Sequence, residues 1–310
     1  MATPDWHFPA VQPLARTGFT ASRLGIGDVA DRAVPFEQCV ATVRRAMDAG
    51  LNVIDTAPGY EDGYSERIVG EAVRGRREQV FVITKVDHPD RPVAPQVHES
   101  LERLALGRVD CLLFHGVSTL KAWEALLAPD GPMDQLDVCR KAGATRFTGI
   151  SSHHPDVLRA AVLSSRCDLL MFPVSAAGDL RYVTDVLPMA RQHGVATIGF
   201  KVFGAGKLLT DTEGYGRPLA ARPRGKVSSG GAGGQPRLPC LPVDACVRYA
   251  LTCNPDVALL GLSFPCEQDA AFKAAASFTP MPEAEMAETR ELAAKALAAK
   301  GAQWWNPSPL

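Results

Sequence analysis

The stretch Leu51-Asn52-Val53-Ile54-Asp55-Thr56-Ala57-Pro58-Gly59-Tyr60 decides how the rest of the chain is read. It opens as a short apolar run of strand type and closes on a carboxylate, Asp55. The same grammar recurs twice downstream. Lys85 closes Val80-Phe81-Val82-Ile83-Thr84, and His115 closes Val109-Asp110-Cys111-Leu112-Leu113-Phe114. A helical stretch lies between successive runs. Parallel strands closed into a barrel bring the groups at their carboxyl ends onto one face, where sites form. Scattered charges would not fall on three consecutive strand ends.

Strand-like and helical segments alternate along the chain. Leu24-Gly25-Ile26-Gly27 precedes a helix from Phe36 to Ala49, with Pro35 suited to its first turn. The Asp55 strand precedes a helix starting at Ser65-Glu66. Ala94 to Leu104 carries Val97, Leu101 and Leu104 at helical spacing. After the His115 strand come helical stretches at Leu120–Leu127 and Met133–Lys141. Phe147–Ile150, Leu169–Phe172, Ala196–Phe200 and Val257–Gly261 are the remaining strands. Helices at Asp156–Ser164, Tyr182–His193, Val243–Thr252 and Glu267–Ala276 accompany them. Eight strands alternating with helices predict an α/β fold of the (β/α)8 TIM-barrel type, and a doubly wound open sheet is the alternative. Val11–Arg16 and Phe19–Arg23 around Thr17-Gly18 predict a β-hairpin cap on the barrel floor. Ala284–Ala299 predicts a C-terminal helix, followed by the tail Trp304-Trp305-Asn306-Pro307. The whole chain, 1–310, is expected to be a single domain.

Its 310 residues suffice for such a barrel, and 46% hydrophobic residues can bury its core. Lys plus Arg number 33 against 34 Asp plus Glu, so no global field recruits nucleic acid or an anionic membrane. Met1 to His7 has neither a basic nor an apolar signal region, and no apolar run reaches a membrane span. A cytoplasmic protein is expected, with its oligomeric state open. None of the eight cysteines forms C-x-x-C, and most sit inside apolar patterns. They read as small core hydrophobes, and no metal site is expected. Arg217 to Leu241 breaks the pattern. Its Gly225–Gly234 heart is too poor in apolar residues to order itself, which predicts a flexible loop after strand seven. Its basic residues leave a second reading, a lid over a bound phosphate.

Asp55-Thr56-Ala57-Pro58-Gly59-Tyr60, continuing Glu61-Asp62-Gly63-Tyr64-Ser65-Glu66, resembles the D-T-A-x-x-Y-x-x-G-x-S-E signature of aldo-keto reductases. Ile83-Thr84-Lys85 and Leu113-Phe114-His115-Gly116 are similar to the family's strand-end lysine and histidine. Gly149–His153, Phe200–Leu209, Asn254–Val257 and Leu260–Ser263 extend the likeness over most of the chain. The resemblance implies a barrel that binds NADP(H) and reduces an aldehyde or ketone, or runs the reverse. It implies Tyr60 as general acid, Lys85 and Asp55 as its electrostatic supports, and His115 as the group orienting the carbonyl. For the cofactor it implies Gly27, Asp28, Ser151, Ser152, Met171, Phe200, Lys201, Val202, Phe203, Gly204, Gly206, Lys207, Ser263 and Glu267. Several positions depart from the pattern. Asp28 stands where a Thr is common, Met171 where many members have Gln, and Ser152 where many have Asn. No Arg or Lys follows Ser263 where a ribose phosphate is usually gripped, so NAD(H) stays open.

The chemistry suits these groups. Hydride delivery to a carbonyl builds charge on oxygen that an acid within hydrogen-bond reach must neutralise. A free tyrosine has a pKa near 10, and an adjacent cation lowers it. Two units cost roughly 2.7 kcal/mol, and one ammonium at about 4 Å supplies up to roughly 4 kcal/mol at a dielectric of 20. Lys85 therefore suffices in scale, Asp55 keeps it charged, and neutral His115 is expected to donate to the carbonyl oxygen. Each residue also has a plainer reading. Asp55 alone is a strand-end cap, Lys85 a snorkelling lysine or the Schiff-base nucleophile of a barrel aldolase, and His115 a core histidine. Tyr64 rivals Tyr60 as the acid. A non-catalytic nicotinamide-binding protein of the same fold is a third possibility. His88, His153, His154 and His193 read as structural. Trp304 and Trp305 are candidates for the substrate pocket. Gly25-x-Gly27-x-x-Ala30 mimics a dinucleotide fingerprint, but five residues, Asp31 to Pro35, separate it from the next helix.

Overall fold

Continuous apolar runs become strands buried on both faces. In the computed structural model, which describes residues 11–209, 213–214, 217–218, 239–261, 265–298, 303 and 305–307, these runs pair in parallel. They are β3 (Leu24–Ile26), β4 (Val53–Asp55), β5 (Phe81–Val86), β6 (Val109–Phe114), β7 (Thr145–Ser151), β8 (Leu169–Pro173), β9 (Ala196–Phe200) and β12 (Val257–Leu260). Each pairs with the next in chain order, and β12 returns to β3, with Leu260 opposite Ile26. The sheet closes, which excludes the open doubly wound alternative.

Strand alternation divides the core in two. Val53, Phe81, Ile83, Cys111, Leu113, Leu169, Met171, Ile198 and Val257 fill the barrel interior. Their neighbours Ile54, Val82, Leu112, Ile150 and Leu170 face the surrounding helices. Those helices are α1 (Phe36–Asp48), α2 (Tyr64–Ala72), α3 (Val93–Leu104), α4 (Leu120–Leu126), α5 (Pro132–Lys141) and α6 (Pro155–Leu163), then α7 (Leu187–Gln192) after one π turn at Tyr182–Val186, α8 (Val243–Cys253) and α9 (Pro265–Ala276). Gly149 shows how tightly the strands approach. A Cβ there would lie 1.8 Å from the Leu169 carbonyl oxygen, so no other residue fits.

The hairpin cap is β1 (Val11–Pro13) paired antiparallel with β2 (Thr20–Ser22). A short 3-10 turn, Ala15–Thr17, lies between them and ends on Gly18 in the left-handed region, which glycine adopts freely. Leu14 and Ala21 join the interior cluster, and Phe19 stands 5.3 Å from Phe81, closing the floor. The segment expected to be a loop, Arg217 to Leu241, starts with β11 (Arg217–Pro218), which pairs antiparallel with β10 (Glu213–Gly214) just before it. Gly225–Gly234, Ser263 and Trp304 lie outside the described residues. The C-terminal helix α10 spans Glu283–Leu297. Beyond it, Trp305 is fully buried beneath the Lys207 ammonium, 5.5 Å from its ring, so it packs the barrel rather than lining an open pocket. Cys39, Cys111, Cys139, Cys167, Cys246 and Cys253 are buried as expected, whereas Cys240 is exposed. Among the described residues no helix is long and apolar enough to cross a membrane.

Candidate active site

Asp55, Lys85 and His115 reach the same end of the barrel because β4, β5 and β6 are parallel neighbours in register, with Asp55 opposite Ile83 and Lys85 opposite Leu113. Tyr60 arrives by a different route. After Asp55 the chain turns back through hydrogen bonds from the Tyr60 amide to the Ala57 carbonyl and from the Gly63 amide to the Pro58 carbonyl. Glu61, Asp62 and Gly63 all take positive φ there. The Thr56 hydroxyl donates to Ser65 Oγ at 2.9 Å and pins this turn to α2. Tyr60 thereby comes to rest over Lys85, with the ammonium 4.7 Å from its ring centroid.

Lys85 is almost fully buried. Its Nζ donates to Asp55 Oδ1 at 2.5 Å and to the Thr56 carbonyl at 2.8 Å. Burial pulls the lysine down, but Asp55 and Tyr60 more than offset it, so Lys85 ends above its ordinary value and remains an ammonium. Burial pushes the Asp55 carboxyl up against the pull of Lys85. Tyr60 differs from the sequence expectation. Its phenol is pushed up to about 12, chiefly by burial. Lys85 pulls it down, as argued from the sequence, but the negative charges of Asp55 and Asp28 oppose that pull. The ammonium restrains the rise in Tyr60 without reversing it.

His115 follows β6, its amide donating to the Val86 carbonyl at 3.0 Å. Its ring meets the Tyr60 ring edge-on, centroids 5.6 Å apart. His115 Nδ1 lies 2.6 Å from Asp87 Oδ1, and Asp87 Oδ2 accepts the Gly59 amide at 2.7 Å. Burial raises the Asp87 carboxyl, but these bonds and the His115 and Lys85 charges outweigh it, holding the group below the usual carboxylate range. Sequence reasoning missed Asp87. The signal was present, because strand alternation places Asp87 on the same side as Lys85, two residues before it. His153, read as structural, also belongs to the mouth. It sits 5.2 Å from Phe200, close enough to Lys201 and His115 to feel their charges, and burial lowers it to about 4. His154 is structural, its Nδ1 capping α6 through the Asp156 amide. Tyr64 turns away, between Phe36 and the Arg32 guanidinium, and is no rival to Tyr60 at Lys85.

The residues expected to hold a cofactor separate into groups. At the mouth, Ser151 Oγ accepts the Gly116 amide at 2.9 Å, Phe200 ends β9, and Lys201 follows it. Asp28 is near enough to bias Asp55 and Tyr60. Gly27 donates to the Leu260 carbonyl at the barrel seam. Ser152 is fully buried, its hydroxyl accepting the His154 amide, and Met171 fills the barrel interior. The turn after β9 departs from expectation. The Val202 and Phe203 side chains join the hydrophobic core, and the amides of Gly204, Gly206 and Lys207 donate to the Lys201, Phe203 and Gly204 carbonyls. Those three amides donate within the turn. Glu267 lies in α9, its side chain outside the described residues.

A sequence profile of the Aldo/keto reductase family matches residues 21–294. The chain is 27% identical over 229 residues to the NADH-specific methylglyoxal reductase of Escherichia coli, covering 64% of this chain and 69% of that protein. It is 29% identical to L-galactose dehydrogenase of Arabidopsis thaliana, covering 64% of each. Among solved structures it is similar to an aldo-keto reductase of Klebsiella pneumoniae in complex with NADPH, with a TM-score of 0.66, 20% identity and 95% of each chain covered. It is likewise similar to aldo-keto reductase AKR11C1 of Bacillus halodurans, with a TM-score of 0.67, 23% identity and 92% of this chain covered against 96% of that one. With the profile spanning nearly the whole barrel, the chain belongs to the aldo/keto reductase family.

Proposed function

We propose that this protein is an NAD(P)H-dependent oxidoreductase that reduces an aldehyde or ketone to an alcohol, or runs the reverse, with Tyr60 as the proton donor. The observation that carries this reading is the buried Lys85 ammonium, held by Asp55 at 2.5 Å and lying 4.7 Å from the Tyr60 ring. A bound reduced nicotinamide supplies the hydride. As negative charge grows on the substrate oxygen, Tyr60 gives up its proton, and Lys85 stabilises the phenolate left behind. A phenol pushed up to about 12 is fully protonated at neutral pH, the form a reductase needs. An alkoxide is a far stronger base than phenolate, so the transfer still runs downhill.

The residues at the mouth fit a nicotinamide. Phe200 offers an aromatic face at the end of β9. Ser151 accepts the Gly116 amide, which leaves its hydroxyl hydrogen to donate to a carboxamide oxygen. NADP(H) is the expected cofactor. NAD(H) stays open, because the E. coli relative is named NADH-specific and the Klebsiella structure holds NADPH. Lys85 is a poor candidate for Schiff-base chemistry, since its protons are committed to Asp55 and Thr56 and its pKa is raised.

Tyr60→Phe is the test. Aldehyde-dependent NADPH oxidation is expected to fall by about 10²–10⁴-fold, with cofactor binding by intrinsic fluorescence unchanged. Near-normal turnover in that variant rejects the reading.

A further inference from the structure

Away from the catalytic residues, the C-terminal tail covers a cavity of about 360 Å³ between the loop that follows β8 and helix α10. None of Asp55, Tyr60, Lys85 and His115 lines it. Asn306 pins the tail there. Its amide nitrogen donates to the Ala177 carbonyl at 2.7 Å and to Gln303 Oε1 at 3.1 Å, and its oxygen accepts the Asp179 amide at 3.3 Å. Two arginines line the cavity, and their charges are not equivalent. Arg181 is matched by Asp179, which takes Nη2 at 2.7 Å and Nε at 3.1 Å. Arg290, on α10, donates to the buried Tyr249 phenol, and among the described residues no carboxylate pairs with it. A guanidinium has five N–H donors, so one bond to Tyr249 leaves most of them for a ligand. Gln303 adds to these, because with its oxygen accepting from Asn306 its amide hydrogens are left to donate.

We propose that this cavity binds a small monocarboxylate with an apolar body, held by Arg290 and Gln303, and that the occupant fastens the tail to the barrel wall. The planar carboxylate matches the fork of the guanidinium. One unmatched cation suits one negative charge, whereas a phosphate dianion brings a second charge with no partner. Ala176, Ala294, Leu297 and Pro307 supply apolar wall. Roughly 150 Å³ is enough to take a benzene ring, so a ring bearing a carboxylate fits the space. Such a ligand touches the loop after β8, α10 and the tail at once. Between Gln303 and Asn306 the tail carries Trp305, fully buried with the Lys207 ammonium 5.5 Å from its ring. Fastening the tail therefore acts on a segment that reaches the turn after β9. The site needs neither a nicotinamide nor Tyr60, so it stands apart from the carbonyl-reductase reading above.

Benzoate is the probe, with benzamide as its neutral counterpart and inorganic phosphate as the rival anion, titrated into the full chain without added nicotinamide. Calorimetry is expected to give a benzoate Kd on the order of 1 mM. Benzamide is expected to bind at least about tenfold more weakly, since it brings no charge to Arg290. Arg290→Gln is expected to weaken benzoate by about tenfold and to leave benzamide unchanged. Gln303→Glu, a change at an exposed residue, gives Arg290 a carboxylate of its own and is expected to weaken benzoate similarly, so the outcome does not hang on one variant folding. Hydrogen exchange locates the ligand. Saturating benzoate is expected to slow exchange at the Asp179 amide, bonded to Asn306, and at the Asn306 amide, bonded to the Gln303 carbonyl. The Gly59 and His115 amides at the catalytic mouth are expected to be unaffected. Benzoate binding indifferent to both substitutions, equal binding of benzamide, tighter binding of phosphate, or protection confined to the mouth overturns the proposal. So does the absence of any benzoate binding up to about 50 mM.

Discussion

Lys85 Nζ lies 4.7 Å from the centroid of the Tyr60 ring while it donates to Asp55 and to the Thr56 carbonyl. One buried cation thus serves a carboxylate that stabilises it and a phenol that it restrains. The two duties are separable by mutation. Lys85→Met leaves the Asp55 charge buried and unpaired, which costs about 3–5 kcal/mol. Adding Asp55→Asn removes the orphaned charge and is expected to restore most of that stability in urea unfolding. Activity is not expected to return in the double variant, because the cation opposite Tyr60 is still missing. Recovery of turnover together with stability would show that Lys85 is only structural.

Tyr60 gives the folded protein a measurable response to alkali. Its folded value is pushed up to about 12, above an unfolded value near 10. A raised pKa means that the folded state holds its proton longer. The associated stability is fully present below pH 10 and is lost as pH rises from 10 through 12, because the unfolded chain ionises first. The loss approaches roughly 3 kcal/mol, two units at about 1.36 each. Urea unfolding of wild type and Tyr60→Phe at pH 9 and at pH 11.5 measures it. The wild type is expected to lose more stability over that interval than the variant. Parallel losses would place the Tyr60 phenol at its ordinary value.

The barrel and the places of Asp55, Lys85 and His115 on it were legible in the sequence for one reason. Strands buried on both faces must be continuously apolar, so a polar residue closing such a run stands out. Asp55, Lys85 and His115 each close one. Tyr60 needed the motif as well, because a turn residue carries no periodicity. Asp87 went unread because it lies just past the last strand residue, Val86, where polar residues are ordinary. His153 was set aside because its significance comes from Phe200 and Lys201, which adjoin it only after folding. The hydrogen bonding of the turn after β9 was unreadable for a related reason. Its glycines resemble a phosphate cradle, and only the hydrogen-bond pattern shows that the Gly204, Gly206 and Lys207 amides are used within the turn.

Glu66 braces the site from behind, through Thr84 and Arg103. It lies on α2, directly after the Tyr60 turn, and is fully buried. One oxygen accepts the Thr84 hydroxyl at 2.7 Å, next to Lys85, and the other accepts Arg103 Nε at 2.5 Å from α3. The carboxylate therefore ties the helix behind Tyr60 to the strand that carries Lys85, and Arg103 neutralises it. Arg103→Ala leaves a buried charge without its partner and is expected to cost about 3 kcal/mol, or roughly 5 °C in Tm for a chain of this length. Adding Glu66→Gln keeps an acceptor for Thr84 while removing the charge, so most of that loss should be recovered. Thermal unfolding of the two variants checks this. If the double variant is no more stable than Arg103→Ala, the cost comes from lost packing of the arginine stem rather than from the stranded carboxylate.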